Sequence, residues 1–163
     1  MAAYTAIIGV GSPLAGDDAV GLVALERLRA RQDLPPNVDI IDGGTDGLGL
    51  IPVLERYARV MVVDAVPMGL PAGAIRRFTW DEVRPRANAH ALSLHQHGLT
   101  EALALAEVLG VLPRTLIIYG VQPRDTAFGQ PLSAPVARAV PRLLENLLHE
   151  VRSNDDGSEN FDR

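Results

Sequence analysis

The sequence predicts an α/β fold: a single three-layer domain in which a mostly parallel, twisted sheet is flanked by helices. Short apolar runs alternate with amphipathic stretches along the chain, and this alternation is typical of βαβ units. The hydrophobic fraction is 47% but the aromatic fraction only 4%, so the core must be built from aliphatic side chains. A length of 163 residues suits one domain with a core of its own.

Five apolar segments are predicted as strands. Residues 60–63 have apolar neighbours on both sides, which predicts a strand buried on both faces of the sheet. The other strands are predicted at residues 4–10, 38–41, 74–80 and 115–121. Because helical stretches separate most of these strands, the sheet should be largely parallel. Ligands of such sheets bind outside the carboxyl ends of the strands.

Four helices are predicted, at residues 18–31, 50–57, 93–109 and 133–151. Pro52 is tolerated only in the first turn of the second helix, and Pro141 predicts a kink in the last. Residues 81–91 are polar and are predicted to be irregular. We assign residues 1–152 to the domain and residues 153–163, which are polar and acidic, to a disordered tail.

Composition and charge exclude several classes of function. The formal net charge of −5 disfavours nucleic acid as a partner. The chain has no lysine, which excludes a lysine Schiff base and a P-loop, and no cysteine, which excludes a disulfide, a cysteine nucleophile and thiolate metal ligands. The amino terminus lacks the features of a secretion signal, and no apolar run approaches the roughly 18 residues of a membrane span. We therefore expect a cytoplasmic protein without a membrane partner.

Acidic residues follow each of the first three predicted strands. Asp17 and Asp18 come after the first strand, Asp42 follows the second, and Asp64 ends the third. In a parallel sheet these four carboxylates lie at the same edge. This convergence is the strongest signal of a functional site that the residues themselves give.

Each acid also has an ordinary structural interpretation. Asp17 is a favoured N-cap residue for the following helix, and Asp18 suits a first helical turn. Asp42 precedes two glycines, as in a tight turn. Asp64 ends a buried strand, where a carboxylate needs a partner, a metal ion or a shifted pKa, unless it caps the next turn.

A nucleotide site is the alternative interpretation of the first loop. A G-x-G follows the first strand, but the third glycine of the dinucleotide fingerprint should stand where the chain has Leu14. The two adjacent carboxylates would also repel phosphate at a helix start. Both observations argue against a nucleotide.

Four histidines are present: His90, His95, His97 and His149. Ser93 and Gln96 have the spacing of a capping box, which predicts that His95 lies in the first turn of a helix. His90 and His97 are nearby alternatives, and His149 is expected at the surface. Carboxylates with one histidine suit a divalent ion such as nickel or zinc.

Five motifs in order resemble those of the hydrogenase maturation endopeptidase family. They are G-x-G-S-x-x-x-x-D-D-x-x-G, I-D-G-G-T-D-G, V-V-D-A, S-L-H-Q-H-G-L and Y-G-V-Q-P, and the resemblance as a whole covers about residues 4–148. Each motif is weak alone, but their order and spacing make the match fairly specific. Two positions differ from the usual family pattern: Ser12 stands where most members have Asn, and Asp18 stands where some have Glu.

The resemblance implies both a fold and a reaction. The family fold is a mostly parallel twisted sheet flanked by helices, and its members remove a short C-terminal extension from the large subunit of nickel–iron hydrogenase once nickel is installed. The family's metal-contacting triad falls on Asp18, Asp64 and His95. Its D-G-G-T aspartate, which is implicated in cleavage, falls on Asp42. The nickel belongs to the substrate, although another divalent ion can be expected to fit the same site, and no organic cofactor is implied.

Two interpretations follow for the site. In the first, a monomeric endopeptidase grips the nickel of the hydrogenase large-subunit precursor with its triad. Asp42 then acts as general base or orients a water, and the backbone amides of Gly43 and Gly44 stabilise the oxyanion. In the second, a non-catalytic module uses the same triad to sense the metal of the precursor without cutting it.

Overall fold

The computed structural model describes residues 4–85 and 98–153 and contains one five-stranded sheet. The strands lie in the order β2-β1-β3-β5-β4. Four of them are parallel, and β4 pairs with β5 in the antiparallel sense at one edge. The strands are β1 (Thr5–Gly9), β2 (Val38–Asp42), β3 (Arg59–Ala65), β4 (Ile75–Thr79) and β5 (Thr115–Val121). The predicted mostly parallel α/β sheet is confirmed.

Helices cover both faces of the sheet. On one face, α1 and α5 pack over the side chains of residues such as Ile7 and Met61. On the other face, α2, α3 and α4 pack over Ile8 and Val62. Because adjacent residues of a strand point to opposite faces, the central strands are buried on both sides, as their apolar runs predicted. The helices are α1 (Val20–Arg29), α2 (Ile51–Leu54), α3 (Trp80–Val83), α4 (Leu99–Val108) and α5 (Ala134–Ser153).

Several predicted helix boundaries are wrong. A 3-10 turn, Gly16–Ala19, precedes α1, which therefore begins at Val20 rather than at residue 18. The helix predicted at residues 50–57 is shorter, Ile51–Leu54, and a second 3-10 turn, Gly47–Leu50, precedes it. This turn begins early because the Asp46 side chain accepts the backbone N–H of Leu48.

The predicted helix at residues 93–109 also begins later, at Leu99. Gly98 has a left-handed backbone (φ +64°), so a right-handed helix cannot run through it. The predicted capping box of Ser93 and Gln96 lies outside the described residues. The last helix runs on through Pro141 to Ser153.

The segment predicted to be irregular from residue 81 begins with a helical turn instead. The Glu82 carboxylate accepts the backbone N–H of Thr79 at 2.7 Å, and the Thr79 side chain caps the turn in return, which forms a capping box. The T-x-x-E spacing was a local signal that the sequence analysis missed. Within residues 4–85 and 98–153, no helix is long and apolar enough to cross a bilayer.

Glycine allows α1 to approach the sheet closely. A Cβ at Gly21 would lie 2.5 Å from the carbonyl oxygen of Val63 and 3.0 Å from that of Val10. A Cβ at Gly9, on the facing strand, would lie 2.6 Å from the Gly21 oxygen. Both positions therefore require glycine because backbone contacts backbone there.

We expect Gly21→Ala to lower the free energy of unfolding by about 2–3 kcal/mol, since the added methyl group must push α1 away from β3 and from Val10, the residue after β1. Urea denaturation measures the change. Gly49→Ala is the matched control, because the nearest atom to a Cβ there is a side-chain oxygen at 3.6 Å. Equal stability of the two variants would contradict the close approach.

Candidate functional site at the carboxyl edge of the sheet

The parallel strands bring the acids to one edge of the sheet. Gly9 of β1 pairs with Asp42 of β2 on one side and with Val63 of β3 on the other, so the three strands end level. Asp64 follows Val63 directly, and the chain beyond β1 carries Asp17 and Asp18. The predicted convergence of these carboxylates on one edge is confirmed.

Asp64 is a buried carboxylic acid on a central strand. Only 2% of the residue is exposed, and no described residue hydrogen-bonds to its Oδ1. Burial raises the pKa of Asp64 well above its usual value, and the negative charge of Asp18 raises it further. A buried carboxylate with one unpaired oxygen favours a proton or a cation, and such groups concentrate at functional sites.

Asp18 lies in the 3-10 turn before α1 and is also buried. Its Oδ2 accepts the backbone N–H of Ser12 at 2.8 Å, so the first loop folds around its carboxylate. Gly11 makes this possible: it has φ +132°, and a Cβ there would lie 2.0 Å from the Asp18 carbonyl oxygen. The loop holds Asp18 close enough to Asp64 for the two charges to interact.

Asp42 ends β2 and is exposed. Its Oδ1 accepts the backbone N–H of Gly44 at 2.8 Å, so the turn predicted for this motif forms. One strand, β1, separates β2 from β3, which places the backbone of Asp42 roughly 10 Å from that of Val63. Asp42 therefore presents a solvent-accessible carboxylate beside the buried pair rather than inside it.

The backbone amides of Gly43 and Gly44, predicted to stabilise the oxyanion, already donate hydrogen bonds within the protein. The Gly43 N–H donates to the carbonyl oxygen of Gly9 at 2.8 Å, and the Gly44 N–H donates to Asp42. Both donors are engaged, so neither is free to bind an oxyanion.

The predicted histidine ligand lies outside the described residues. His95, His90 and His97 all fall within residues 86–97. The described part of the chain resumes with α4, which leads into parallel β5 and hence begins at the carboxyl edge, four residues after His95. His149 is exposed on α5, as predicted. In the described ranges, no group of three or more His, Asp or Glu side chains is placed to hold a metal ion.

Asp17 does not cap α1, so its predicted N-cap role is wrong. Its carboxylate instead accepts the backbone N–H groups of Arg124, Asp125 and Ser133, and the Ser133 hydroxyl. Burial alone would raise the pKa of Asp17, but these hydrogen bonds outweigh burial and lower it. These contacts have no local signal in the sequence, because the partners are more than 100 residues away in the chain.

Comparison with known proteins identifies the family of this chain. The model of the family "HycI: Hydrogenase maturation protease" matches residues 23–150. The chain belongs to the hydrogenase maturation protease family. It is 36% identical over 148 residues to the hydrogenase expression/formation protein HupD of Rhizobium leguminosarum bv. viciae, with 90% of this chain and 73% of the relative covered. It is 30% identical to the hydrogenase 2 maturation protease of Escherichia coli K12, with 91% and 90% covered.

Solved structures agree with the family assignment. The maturating endopeptidase HybD from E. coli matches with a TM-score of 0.80 at 28% identity, covering 93% of both chains. The solution structure of an endopeptidase from E. coli matches with a TM-score of 0.82 at 30% identity, again covering 93% of both chains. The resemblance, the fold class and the assignment as a protease are thus confirmed. Because this is a family of proteases, a proteolytic function is favoured over the non-catalytic and nucleotide-binding interpretations.

Proposed function

We propose that this hydrogenase maturation protease removes the C-terminal extension of a nickel-loaded nickel–iron hydrogenase large-subunit precursor. The observation that carries the proposal is the unpaired buried Oδ1 of Asp64 beside Asp18, at the edge where Asp42 faces solvent. In this proposal the enzyme acts as a monomer in the cytoplasm and uses no organic cofactor.

The nickel ion arrives as part of the substrate. A cation that approaches Asp64 and Asp18 replaces the proton that the buried pair would otherwise need, and carboxylates with an imidazole are suitable ligands for nickel or zinc. His95 completes the proposed set of metal contacts. The same donors would accept another divalent ion. The buried carboxylates therefore favour a precursor that already carries its metal over one that does not.

Asp42 is the proposed catalytic residue. An exposed carboxylate at the end of β2 can take a proton from an attacking water, and the hydrogen bond from Gly44 fixes its rotamer. A precursor anchored by its metal at Asp64 would have its neighbouring backbone held beside Asp42, roughly 10 Å away across β1. Metal recognition and peptide hydrolysis would thus use neighbouring parts of one edge.

The proposal is tested by cleavage of purified precursor, followed by mass spectrometry. The wild-type enzyme is expected to release one short C-terminal peptide from nickel-loaded precursor and none from nickel-free precursor. Asp42→Asn should reduce kcat by about 100-fold or more, because the amide cannot accept the proton. Asp39→Asn is the control: Asp39 lies on the same strand, exposed and bonded to the hydroxyl of Tyr57, away from the carboxyl edge.

Two results would contradict the proposal. If Asp42→Asn cleaves at the wild-type rate, Asp42 is not the base. If the wild-type enzyme binds loaded precursor but never shortens it, the metal-sensing function is correct for this substrate and the proposed cleavage is not.

A further inference from the structure

We propose that Asp17 is a positioning residue: it fixes the segment between β5 and α5 against the first loop and thereby holds Asp18 beside Asp64. We call residues 123–133 the strap. The inference rests on the proposed function for its catalytic consequence, but its structural content can be measured without any substrate.

The Asp17 carboxylate binds both ends of the strap. Its Oδ2 accepts the backbone N–H groups of Arg124 and Asp125 at 2.8 and 3.0 Å, near the start of the strap. At the end of the strap, Ser133 donates its backbone N–H to Oδ1 at 2.7 Å and its hydroxyl to Oδ2 at 2.8 Å. Asp17 is fully buried, so these bonds do not compete with water.

Backbone hydrogen bonds join the same two segments. The N–H of Asp17 donates to the carbonyl oxygen of Asp125 at 2.8 Å, and that of Gly16 donates to Gln130 at 3.1 Å. In the other direction, the N–H of Gly129 donates to Leu14 at 2.7 Å. The strap and the first loop therefore form one hydrogen-bonded unit centred on Asp17.

This unit controls the position of the next residue in the chain. Asp18 follows Asp17 directly, its N–H donates to Ala15, and its carboxylate accepts the N–H of Ser12. Ala15 and Ser12 both belong to the first loop, which Asp17 connects to the strap by hydrogen bonds. If the strap is released, the 3-10 turn loses its outer support, and the Asp18 carboxylate can shift relative to Asp64.

The four donors around Asp17 explain why the residue is an acid. Three backbone N–H groups and one hydroxyl point at its two oxygens, and only a carboxylate offers two acceptors and no donor. In Asp17→Asn, the side-chain NH₂ would face at least one of these donors. A buried donor facing another donor leaves both without a partner, so the strap would open at one end.

The first test is amide hydrogen exchange at Ser12, followed by NMR on the full chain. In Asp17→Asn we expect the Ser12 amide to exchange at least about tenfold faster, because its acceptor on Asp18 is no longer held in place. Ser133→Ala removes one of the four hydrogen bonds to Asp17. It should also speed amide exchange at Ser12, but by a smaller factor. Asp125→Asn is the control, because that side chain is exposed and accepts the N–H of Ala127 within the strap instead of contributing to the Asp17 hydrogen bonds.

The second test is cleavage of nickel-loaded precursor under conditions where every variant is folded. Asp17→Asn should lower kcat by on the order of 100-fold with KM within about threefold of wild type, since a displaced Asp18 misplaces the bound metal. Ser133→Ala should lower kcat by about fivefold. Asp125→Asn should match wild type. If Asp17→Asn does not fold, Ser133→Ala carries both tests.

Two outcomes would overturn the inference. One is faster amide exchange at Arg124 and Ser133 with no change at Ser12, which would show that Asp17 stabilises the strap but does not position Asp18. The other is a raised KM with unchanged kcat, which would make the strap a substrate contact. If the wild-type enzyme does not cut the precursor, the proposed function fails alone, and exchange at Ser12 still decides the role of Asp17.

Discussion

Asp64→Asn is expected to abolish cleavage and, at the same time, to stabilise the folded protein. The native carboxylate is buried beside Asp18 and lacks a partner for one oxygen, so at high pH the fold must either bury an unfavourable charge or bind a proton here. Asparagine is neutral at every pH and removes this cost. We expect the free energy of unfolding at pH 8 to rise by about 1–2 kcal/mol. In the proposed function the metal of the substrate would lose a contact, so activity should fall by about 100-fold or more.

The effect of Asp64→Asn on the free energy of unfolding should depend on pH. The pKa of Asp64 is raised in the folded state above the ordinary value of 3.8, so the folded protein holds a proton that the unfolded chain has already lost. The contribution of Asp64 to stability is therefore largest at low pH. It declines as pH rises from about 4 through the raised folded pKa, and is constant above that. The stability gained by Asp64→Asn should accordingly be larger at pH 8 than at pH 4.

Urea denaturation of both proteins at the two pH values, without substrate, measures the effect. Asp42→Asn is the matched control for stability, because Asp42 is exposed and its substitution should change the free energy of unfolding by less than about 0.5 kcal/mol. A lower stability of Asp64→Asn at pH 8 would mean that the carboxylate contributes favourably to the fold and that the buried charge is compensated.

Glu150→Ala is expected to have the largest effect on stability. Glu150 lies near the end of α5 and accepts hydrogen bonds from Arg77 at 2.8 and 2.9 Å and from the hydroxyl of Tyr119 at 2.8 Å. Buried Arg59 pairs with the same carboxylate at 3.3 Å. Alanine would remove the carboxylate that Arg59, Arg77 and Tyr119 share, and breaking a buried ion pair costs about 3 kcal/mol or more.

Thermal and urea denaturation of Glu150→Ala measure this loss. The matched control is Glu145→Ala on the same helix, where the carboxylate is 63% exposed and pairs with Arg31 at 2.9 Å. An exposed pair contributes less than about 1 kcal/mol, so the control should remain close to wild type. Similar losses in the two variants would show that helix propensity, and not the buried cluster, determines the result.

The contribution of Glu150 to stability should also depend on pH. Hydrogen bonds from Arg77 lower the pKa of Glu150 to about 2, in spite of the opposing effect of burial. Its contribution to stability is therefore complete above the unfolded value near 4.5 and is lost as pH falls towards 2. The difference in the free energy of unfolding between wild type and Glu150→Ala should therefore become smaller as pH falls from about 4.5 towards 2.

The sequence predicted those parts of the site that depend on strand direction alone. If β1, β2 and β3 are parallel, Asp18, Asp42 and Asp64 must share an edge, and they do. The burial of Asp64 followed from the apolar run before it. The triad and the role of Asp42 remain predictions, since His95 lies outside the described residues and only activity tests Asp42.

The parts that sequence could not predict depend on contacts between distant segments. Asp17 has the local signature of a helix cap, but its partners belong to a strap beyond β5. The amide of Gly43 is unavailable for catalysis because it bonds to Gly9 on the neighbouring strand. In contrast, the capping box of Thr79 and Glu82 was a local pattern and could have been found.

Asp64 lies on β3, which is hydrogen-bonded on both sides to β1 and β5. A side chain on a central strand cannot follow a ligand that arrives out of place, in contrast to a side chain on a mobile loop. In the proposed reaction, the substrate must therefore present its metal at the correct position, because the protein does not reshape itself around an incomplete metal centre. Immature precursors would then be rejected by rapid dissociation, so selectivity should appear in the lifetime of the complex and not in the rate at which it forms.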